Sequence, residues 1–511
     1  MVYVGRSCAA ANLPPLSAAP YQRPSRAVLR AAVPEAADEQ LACVASRLAA
    51  SSSTQQQRQL RLVFFGSSVT AGIRCTHKKE RSVNFPQQLA QLLEHRYPHA
   101  NISIDVYGYP GASPSFMRAC HSTLMRTDAA DLYVLEMTDN LSDGYEGVGN
   151  SIEGLMGAIR QRAPAAALVL LAPLPQRCVR SLKRMKPFQH VPLDDDSTRM
   201  LLRRDCFSNR SVAASFEDVG RAHNVTTVSA RFLVHEQLWR NPANAQRIIG
   251  RLHYDAVHPS GGGHWQLAVA LEFAIRRLQP KVGQAAADVE AFCTPALAGA
   301  LEAANLFAPR TAVPSGSMVC ALGDDLKRHV LRSSGWRYAV EYNSQGLAKP
   351  GFVADAPGAT LDLCHRPELG DAASGDREQR MVQVAWSLGY LMSYEHMGKM
   401  RGECLKSEGS CSCGARVFNG HWRLPISQPH ISRLKLQIRY ARKRGEWIPA
   451  HAVHQGADDA KAACPCVIRL TNLNATDSGE HKMKLTSLMS GFYTGTIVGD
   501  AVAYGARYGI F

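Results

Sequence analysis

The sequence predicts an α/β protein: a three-layer α/β/α sandwich around a parallel sheet, followed by a C-terminal β-sandwich domain. In the first half, apolar runs alternate with segments of helical spacing, which is typical of a parallel sheet with helices on both faces. Beyond about residue 280 the apolar runs are short, alternate with polar residues and are separated by Gly, Pro and Asp. A chain of 511 residues also exceeds what one hydrophobic core normally serves.

The strands of the parallel sheet are predicted from five apolar runs: Leu62–Phe65, Ile102–Tyr107, Leu132–Met137, Ala167–Ala172 and Val225–Ser229. Helical spacing follows between them, as in Phe85–Leu93 and Ile152–Ile159, and again after the fifth run. Parallel sheets of this kind bind ligands outside the carboxyl ends of their strands. Ser68, Gly111 and Asn140 each fall just past a predicted strand, so the sequence places these residues at one edge of the sheet.

The first of these strand ends offers a candidate nucleophile, Ser68. The stretch Phe65–Gly72 follows a buried strand and begins with small residues that can turn the chain into a helix. Such a turn lifts a hydroxyl out of the sheet and leaves backbone N–H groups free to face an anion. The structural alternative for Ser68 is a helix-capping serine. Ser67 is the rival nucleophile, but we expect it to cap the helix or to form hydrogen bonds within the loop.

Far downstream, Asp255 and His258 supply a carboxylate and an imidazole three residues apart. A serine hydroxyl is a weak nucleophile until a base removes its proton, and a carboxylate orients that base. We therefore predict Ser68 as nucleophile, His258 as base and Asp255 as its partner. His253 and His264 are rival bases, but neither has an acidic residue three positions before it.

Four short motifs in order resemble those of the SGNH (GDSL-type) hydrolases, a family of serine esterases. They are Gly66-Ser67-Ser68-Val69, the glycine Gly111, the asparagine Asn140 and the Asp-x-x-His of Asp255 and His258. The resemblance covers about residues 61 to 280. It implies a flavodoxin-like sheet, the Ser68–His258–Asp255 catalytic triad, and an oxyanion hole built from Ser68, Gly111 and Asn140. It implies no cofactor and no metal.

The resemblance implies hydrolysis, or transfer, of an acyl group carried by a carbohydrate or a small ester. Ser67 stands where the family has an aspartate, and Thr138 and Leu141 replace its glycine and aspartate around Asn140. These replacements keep an alternative open, in which a catalytically degenerate scaffold acts as a glycan-binding protein. The expected partner is in either case an acylated sugar or small ester.

We expect five segments along the chain. Residues 1–59 are a disordered or targeting segment, 60–282 the hydrolase-like domain, 283–316 a linker, 317–495 the β-sandwich domain and 496–511 a C-terminal tail. In the β-domain, Val382–Tyr390, Leu434–Tyr440 and Lys482–Met489 alternate as half-buried strands do. This domain resembles the C-terminal β-domain of plant and algal SGNH proteins, and the segment Gly389–Gly398 carries that likeness.

The net charge of +15 raises the question of an acidic polymer as partner. Many of the basic residues lie between Arg177 and Arg210, but they are not interleaved with aromatic residues, and no nucleic-acid-binding motif accompanies them. We therefore interpret this region as a solvated loop and expect no nucleic-acid partner. No segment is apolar for long enough to span a membrane. The sequence does not predict an oligomeric state.

The chain has fourteen cysteines, and their chemistry indicates the cellular compartment of the protein. Five are clustered in the second half: Cys404, Cys411, Cys413, Cys464 and Cys466. Cys-x-Cys is tighter than the usual spacing of zinc ligands, so we favour disulfides over zinc, without assigning pairs. Disulfides predict the secretory pathway or an extracellular location. The alternative is a plastid, because the N-terminus is rich in Ala, Pro and Ser and, before Glu35, has several arginines but no acidic residue.

Overall fold

The computed structural model of the chain describes residues 23–34, 38–50, 59–72, 84–109, 114–124, 130–137, 144–172, 174–175, 178–179, 181–182, 195–209, 211–255, 257–279, 293, 319–342, 348–366, 379–405, 410–422, 428–443, 446–453 and 463–492. These residues fall into two compact units. The α/β unit takes its residues from Val2–Arg118 and Met125–Pro309, and the β unit from Ala119–Leu124 and Arg310–Phe511. The predicted domain boundaries near residues 282 and 317 lie outside the described residues and stay predictions.

The α/β unit contains one five-stranded parallel sheet. Its strands are β1 (Leu60–Gly66), β2 (Ile102–Gly108), β3 (Leu132–Glu136), β4 (Ala167–Ala172) and β5 (Thr226–Ser229). Their order across the sheet is β2-β1-β3-β4-β5, and every neighbouring pair is parallel. This is the flavodoxin-like order. The predicted parallel sheet is confirmed, with the strand ends within a few residues of the apolar runs.

The helices described in or beginning in this unit are α1 (Arg26–Ala32), α2 (Glu39–Ala50), α3 (Phe85–Arg96), α4 (Pro114–Leu124), α5 (Gly144–Arg162), α6 (Asp195–Leu201), α7 (Val212–Ala222), α8 (Ala230–Arg240), α9 (Ala245–Leu252) and α10 (Gly261–Arg277). Their starts follow ordinary capping chemistry. Asn84 caps α3, where its side chain accepts the N–H of Gln87, and Ser260 caps α10 by accepting the N–H of Gly263. No helix among the described residues is both long and apolar enough to cross a membrane.

Side-chain alternation along the strands divides the helices between the two faces. Leu60, Leu62 and Phe64 point into one core, which they share with apolar residues of α1, α2, α3, α8 and α10. On the opposite face lie the intervening residues Val63 and Phe65, which are also fully buried. Helices α5 and α7 pack together closely, and a Cβ at Gly149 would lie 3.0 Å from Ser215 Oγ. The unit is therefore the three-layer sandwich that the sequence predicts.

Within residues 1–59, which the sequence predicts to be a disordered or targeting segment, 23–34 and 38–50 are folded and contain helices α1 and α2. Helices α1 and α2 bury Leu29, Leu41 and Leu48 in the same core as the sheet. Asp38 accepts the backbone N–H groups of Leu41 and Thr226, which ties the start of α2 to the first residue of β5. The alanine-rich composition suggested low complexity, but alanine is also the best helix former.

The β unit consists of antiparallel strands in two sheets. The five-stranded sheet has the order β14-β12-β17-β10-β7, and the eight-stranded sheet contains β13-β15-β11-β18-β9-β8 with β16 beside β15 and β6 beside β18. The strands are β6 (Val319–Leu322), β7 (Val330–Ser334), β8 (Trp336–Tyr342), β9 (Ala348–Ala354), β10 (Thr360–His365), β11 (Gln379–Met392), β12 (Lys399–Cys404), β13 (Cys411–Ser412), β14 (Arg416–Asn419), β15 (Gln428–Lys443), β16 (Glu446–Pro449), β17 (Cys466–Asn472) and β18 (Met483–Phe492).

One hydrophobic core lies between these two sheets. It takes Leu361 and Ile468 from the smaller sheet and Trp386, Leu436 and Leu488 from the larger one, all at most 1% exposed. Two antiparallel sheets that share their inner faces form a β-sandwich. The predicted β-domain is thus confirmed, and its three predicted strands correspond to β11, β15 and β18.

The described cysteines are all joined in disulfides: Cys43–Cys293, Cys120–Cys320, Cys178–Cys206, Cys364–Cys464, Cys404–Cys413 and Cys411–Cys466. The five cysteines that the sequence clusters belong to the last three bonds, whose Cα separations are 5.1 to 5.7 Å. Because each sulfur is already paired, these cysteines are not the thiolate ligands that zinc needs, and the disulfide prediction holds.

Candidate active site

The candidate site lies where the strand order of the parallel sheet reverses. Strand β1 has β2 on one side and β3 on the other, so the connections leaving β1 and β3 diverge at their carboxyl ends. Flavodoxin-like sheets bind their ligands at this switch point. Ser67 and Ser68 directly follow β1, and Glu136 is the last residue of β3.

After β1 the backbone makes a single helical turn that carries Ser68. The N–H of Ala71 donates to the carbonyl of Ser67 at 3.0 Å, and the N–H of Gly72 donates to the carbonyl of Val69 at 3.1 Å. Gly72 has a φ of 72°, the left-handed conformation that glycine adopts without strain. The turn presents the Ser68 side chain at the carboxyl edge of the sheet, with 5% of the residue exposed.

The loop between α9 and α10 carries Asp255 and His258. Oδ1 of Asp255 accepts the backbone N–H groups of Val257 at 2.7 Å and of His258 at 2.8 Å. The loop is closed at its base, since His253 and Pro259 form a β-bridge and the N–H of Tyr254 donates to the carbonyl of His258. The short spacing of the two residues thus folds the carboxylate back towards the imidazole.

Ser68, His258 and Asp255 form one hydrogen-bonded array. Ser68 Oγ lies 3.0 Å from His258 Nε2, and His258 Nδ1 lies 2.8 Å from Asp255 Oδ2. A carboxylate can only accept, so Nδ1 carries the proton and Nε2 of the neutral ring accepts from the Ser68 hydroxyl. The His258 side chain is 16% exposed and that of Asp255 27%, so the array opens towards solvent at one end.

Asp255 is held in its ionised form. Burial acts to raise its pKa, but the hydrogen bond and charge of His258, together with the two backbone N–H bonds, outweigh burial and hold the pKa well below its usual range. A permanent negative charge beside Nδ1 favours an imidazolium at His258 whenever Nε2 takes up a proton.

The rival residues have structural surroundings. His264 is fully buried, its Nδ1 accepts the N–H of Phe85 at 3.3 Å, and burial lowers its pKa to about 3. His253 is buried at the base of the loop, in the bridge to Pro259. Ser67 turns its hydroxyl towards Glu136 and towards the N–H of Val69 at 3.4 Å, as expected of a residue that holds the turn.

Gly111 and Asn140 lie outside the described residues, so their predicted roles in an oxyanion hole stay predictions. The third predicted donor is the backbone N–H of Ser68. None of the described residues accepts a hydrogen bond from that N–H.

Sequence reasoning missed Glu136. It is 1% exposed, and its carboxyl group accepts hydrogen bonds from both Ser67 and Thr70, on either side of the nucleophile position. One signal was available: Glu136 is a lone acidic residue at the end of the apolar strand Leu132–Glu136. A buried carboxylate needs partners, so an acidic residue at such a position indicates a specific contact.

An apolar cavity of about 40 Å³ lies beside the array. Its lining includes Val69, which follows Ser68, and Val257 and Pro259, which flank His258. Glu136 also lines it, among leucines from β4, α8 and the start of α10. Glu136 therefore lines the cavity as well as binding the turn that carries Ser68.

No model of a known protein family matches the chain, and no curated protein matches it. Among solved structures, a two-domain esterase (CEX) active on acetylated mannans is similar at a TM-score of 0.57 and 11% identity, over 91% of this chain and 98% of that one. The same esterase crystallised with mannopentaose gives a TM-score of 0.54 at 12% identity, over 89% and 94%. At such identities the likeness establishes a shared fold. This chain therefore shares the fold of that two-domain esterase, and its own two domains are the α/β sandwich with a parallel sheet and the C-terminal β-sandwich.

Proposed function

We propose that this protein is a serine esterase that removes, or transfers, a small acyl group carried by a carbohydrate. The observation that carries the proposal is the array of Ser68, His258 and Asp255, with contacts of 3.0 Å and 2.8 Å at the switch point of the sheet. A nucleophile, a base within hydrogen-bond reach and a carboxylate that orients the base are the working parts of an acyl-transfer site.

In the proposed reaction, Ser68 Oγ attacks the ester carbonyl while His258 Nε2 takes the hydroxyl proton. Asp255 stabilises the resulting imidazolium through Nδ1. The carbonyl oxygen becomes an oxyanion, which the backbone N–H of Ser68 would receive, together with the predicted donors Gly111 and Asn140. His258 then returns the proton to the departing alcohol oxygen. Water, or a sugar hydroxyl in the transfer variant, attacks the acyl-enzyme by the same route in reverse.

The substrate proposal rests on the two-domain esterase that shares this fold, which is active on acetylated mannans. By that analogy the substrate class is an acetylated polysaccharide or oligosaccharide. Fold analogy alone supports this choice, whereas the reaction class is supported by the geometry of named residues.

We propose an oxidising compartment for the protein, the secretory pathway or the extracellular space. The support is the set of disulfides among the described cysteines, in both units. Disulfides persist in such compartments and are rare where thiols are kept reduced.

The decisive experiment measures hydrolysis of p-nitrophenyl acetate and release of acetate from acetylated manno-oligosaccharides. Ser68→Ala should lower kcat at least about 10⁴-fold, because loss of the nucleophile removes the covalent route. The matched control is Ser46→Ala, a buried serine of α2 that donates to the carbonyl of Ala42 and should leave turnover unchanged.

Equal turnover in wild type and Ser68→Ala would reject the assignment of Ser68. Absence of turnover in wild type, with saturable binding of the acetylated oligosaccharide, would favour the glycan-binding alternative instead.

A further inference from the structure

The carboxyl group of Glu136 is the hub of the turn that carries Ser68. Oε2 accepts the backbone N–H of Thr70 at 3.0 Å and of Ser67 at 3.2 Å. It also accepts the hydroxyl of Thr70 at 2.6 Å, and the hydroxyl of Ser67 lies 3.1 Å and 3.2 Å from the two carboxyl oxygens. One side chain thus binds four donors, and all four belong to the residues that bracket Ser68 and Val69.

No described lysine, arginine or histidine pairs with Glu136. Buried charged side chains are usually paired with an opposite charge. Here the four donors are neutral, and all four belong to one short turn. The geometry therefore fixes the turn, and through it the place of the Ser68 hydroxyl.

The space for this contact depends on Gly66. A Cβ at Gly66 would lie 2.1 Å from Thr70 Oγ1 and 2.8 Å from Glu136 Oε2, which no side chain tolerates. The last residue of β1 is therefore a glycine, because the end of β3 and the turn approach it too closely for a side chain. The absence of a side chain at Gly66 thus allows the Glu136 carboxylate to contact the hydroxyls of Ser67 and Thr70.

We propose that Glu136 is a positioning residue for the nucleophile: its carboxyl group holds the turn Ser67–Thr70 so that Ser68 Oγ meets His258 Nε2. This inference rests on the proposed function, because it assigns a role in the Ser68 reaction. Small displacements of a reacting group are costly, and about 1 Å of misplacement can lower the rate about 10²-fold.

The test compares Glu136→Ala with Asp38→Ala. Asp38 is also a buried carboxylate that accepts two backbone N–H bonds, at 2.9 Å and 3.0 Å, but it lies at the opposite, amino-terminal edge of the sheet. Both variants lose a buried carboxylate that accepts two backbone N–H bonds, so both should be destabilised. Glu136→Ala should lower kcat for p-nitrophenyl acetate about 10²-fold with KM within threefold, whereas Asp38→Ala should leave kcat unchanged.

Glu136→Gln keeps the test valid if the alanine variant does not fold. A glutamine oxygen in the place of Oε2 still accepts the bonds of Thr70 and the N–H of Ser67, and its amide group can donate to the Ser67 hydroxyl. Glu136→Gln should therefore retain kcat within about fivefold, and Glu136→Asp, whose carboxyl group is one methylene short, should lose more. If Glu136 had only a structural role, the kcat values of the three variants would instead rank in the order of their thermal stabilities.

Amide hydrogen exchange separates this inference from the proposed function. In Glu136→Ala, or in Glu136→Asp if the alanine variant does not fold, the amides of Ser67 and Thr70 should exchange at least about tenfold faster, relative to those of β2, because they lose their acceptor. Unchanged exchange there, or a kcat of Glu136→Ala within threefold of an active wild type, would overturn the positioning role. Absence of Ser68-dependent turnover in wild type would instead reject the proposed function, and the exchange result would still decide whether Glu136 holds the turn.

Discussion

Two buried carboxylates, one in each unit, are stabilised in opposite ways. Glu136 at the end of β3 is 1% exposed, and Asp362 in the middle of β10 is 2% exposed. Glu136 is surrounded by neutral donors from one turn, whereas Asp362 is held between two arginines from neighbouring strands. Two equally buried carboxylates are therefore stabilised by different partners in the two units.

Asp362 is the centre of a charged row across the five-stranded sheet. Arg469 binds it with two nitrogens at 2.7 Å and 2.8 Å, and Arg332 adds a third contact at 2.8 Å. Burial acts to raise the pKa of Asp362, but the two arginines outweigh it and the pKa is lowered. These side chains come from β7, β10 and β17, so the cluster fastens strands to each other.

Glu136 shows the opposite balance. Burial raises its pKa above the ordinary value of 4.5, although the bonds from Thr70 and Ser67 act against that rise. The ion pairs of Asp362 join three strands of one sheet. A carboxylate held by the backbone of a single turn contributes geometry, and that matters most next to a nucleophile.

The largest expected effect on kcat is that of replacing Asp255, the acidic residue that contacts His258. Asp255→Asn should lower kcat about 10⁴-fold while the thermal midpoint changes little, since an amide favours the wrong tautomer of the histidine. Steady-state kinetics with p-nitrophenyl acetate and thermal unfolding measure the two quantities. Asp131→Asn is the control, because Asp131 accepts the N–H of Arg61 and lies 3.6 Å from Arg47, both at the amino-terminal edge of the sheet. A kcat within tenfold of wild type would remove Asp255 from the mechanism.

In the β unit the corresponding change should affect stability alone. Asp362→Asn leaves two arginines with one neutral partner, and we expect a loss of about 2 kcal/mol in the free energy of unfolding, with kcat unchanged. Denaturant unfolding measures it. Asp355→Asn removes an exposed ion pair with Arg337 and should cost less than about 0.5 kcal/mol. If Asp362→Asn instead lowered kcat at unchanged stability, the contrast between the two carboxylates would be lost.

The two carboxylates should also give the unfolding free energy opposite dependences on pH. The stability that Asp362 contributes is present above its unfolded pKa, near 3.8, and is lost as pH falls through the lowered folded pKa. For Glu136 the folded pKa is raised, so its contribution is present below 4.5 and is lost as pH rises through the folded pKa.

Unfolding curves between pH 3 and pH 7 measure both effects. With falling pH, the gap between wild type and Asp362→Asn should narrow, and wild type should gain stability relative to Glu136→Gln. Parallel curves for wild type and Glu136→Gln would show that the glutamate titrates alike in the folded and unfolded states.

The smallest expected effect comes from one donor of the Glu136 cluster. Thr70→Val keeps the shape of a fully buried side chain and deletes its 2.6 Å hydrogen bond. One such bond contributes about 1 kcal/mol, so kcat should fall about fivefold. Thr227→Val is the matched control, since that buried hydroxyl donates to the carbonyl of Val225. Equal effects of both variants on kcat would show that the Thr70 contact has no special role.

The site residues that the sequence predicts are those that can be recognised from their neighbours in the sequence. Ser68 is identified by a strand, a small-residue turn and its place in that turn, and Asp255 and His258 by their spacing on one loop. The alternation of strands and helices predicts the parallel sheet, and the change to short strands with alternating polar and apolar residues predicts the β-domain. Each of these signals is contained in a short stretch of the chain, where spacing along the sequence relates directly to local structure.

Contacts between distant parts of the chain were decided by the tertiary structure. Glu136 lies 66 and 69 residues from its partners Thr70 and Ser67, and nothing in its own strand names them. The same holds for Cys364, which pairs with Cys464 across 100 residues, and for Asp38, which reaches Thr226. Alanine-rich composition likewise did not reveal that α1 and α2 bury a face in the core. Sequence fixes which groups must be satisfied once buried, whereas the packing of the strands and helices decides which partners are within reach.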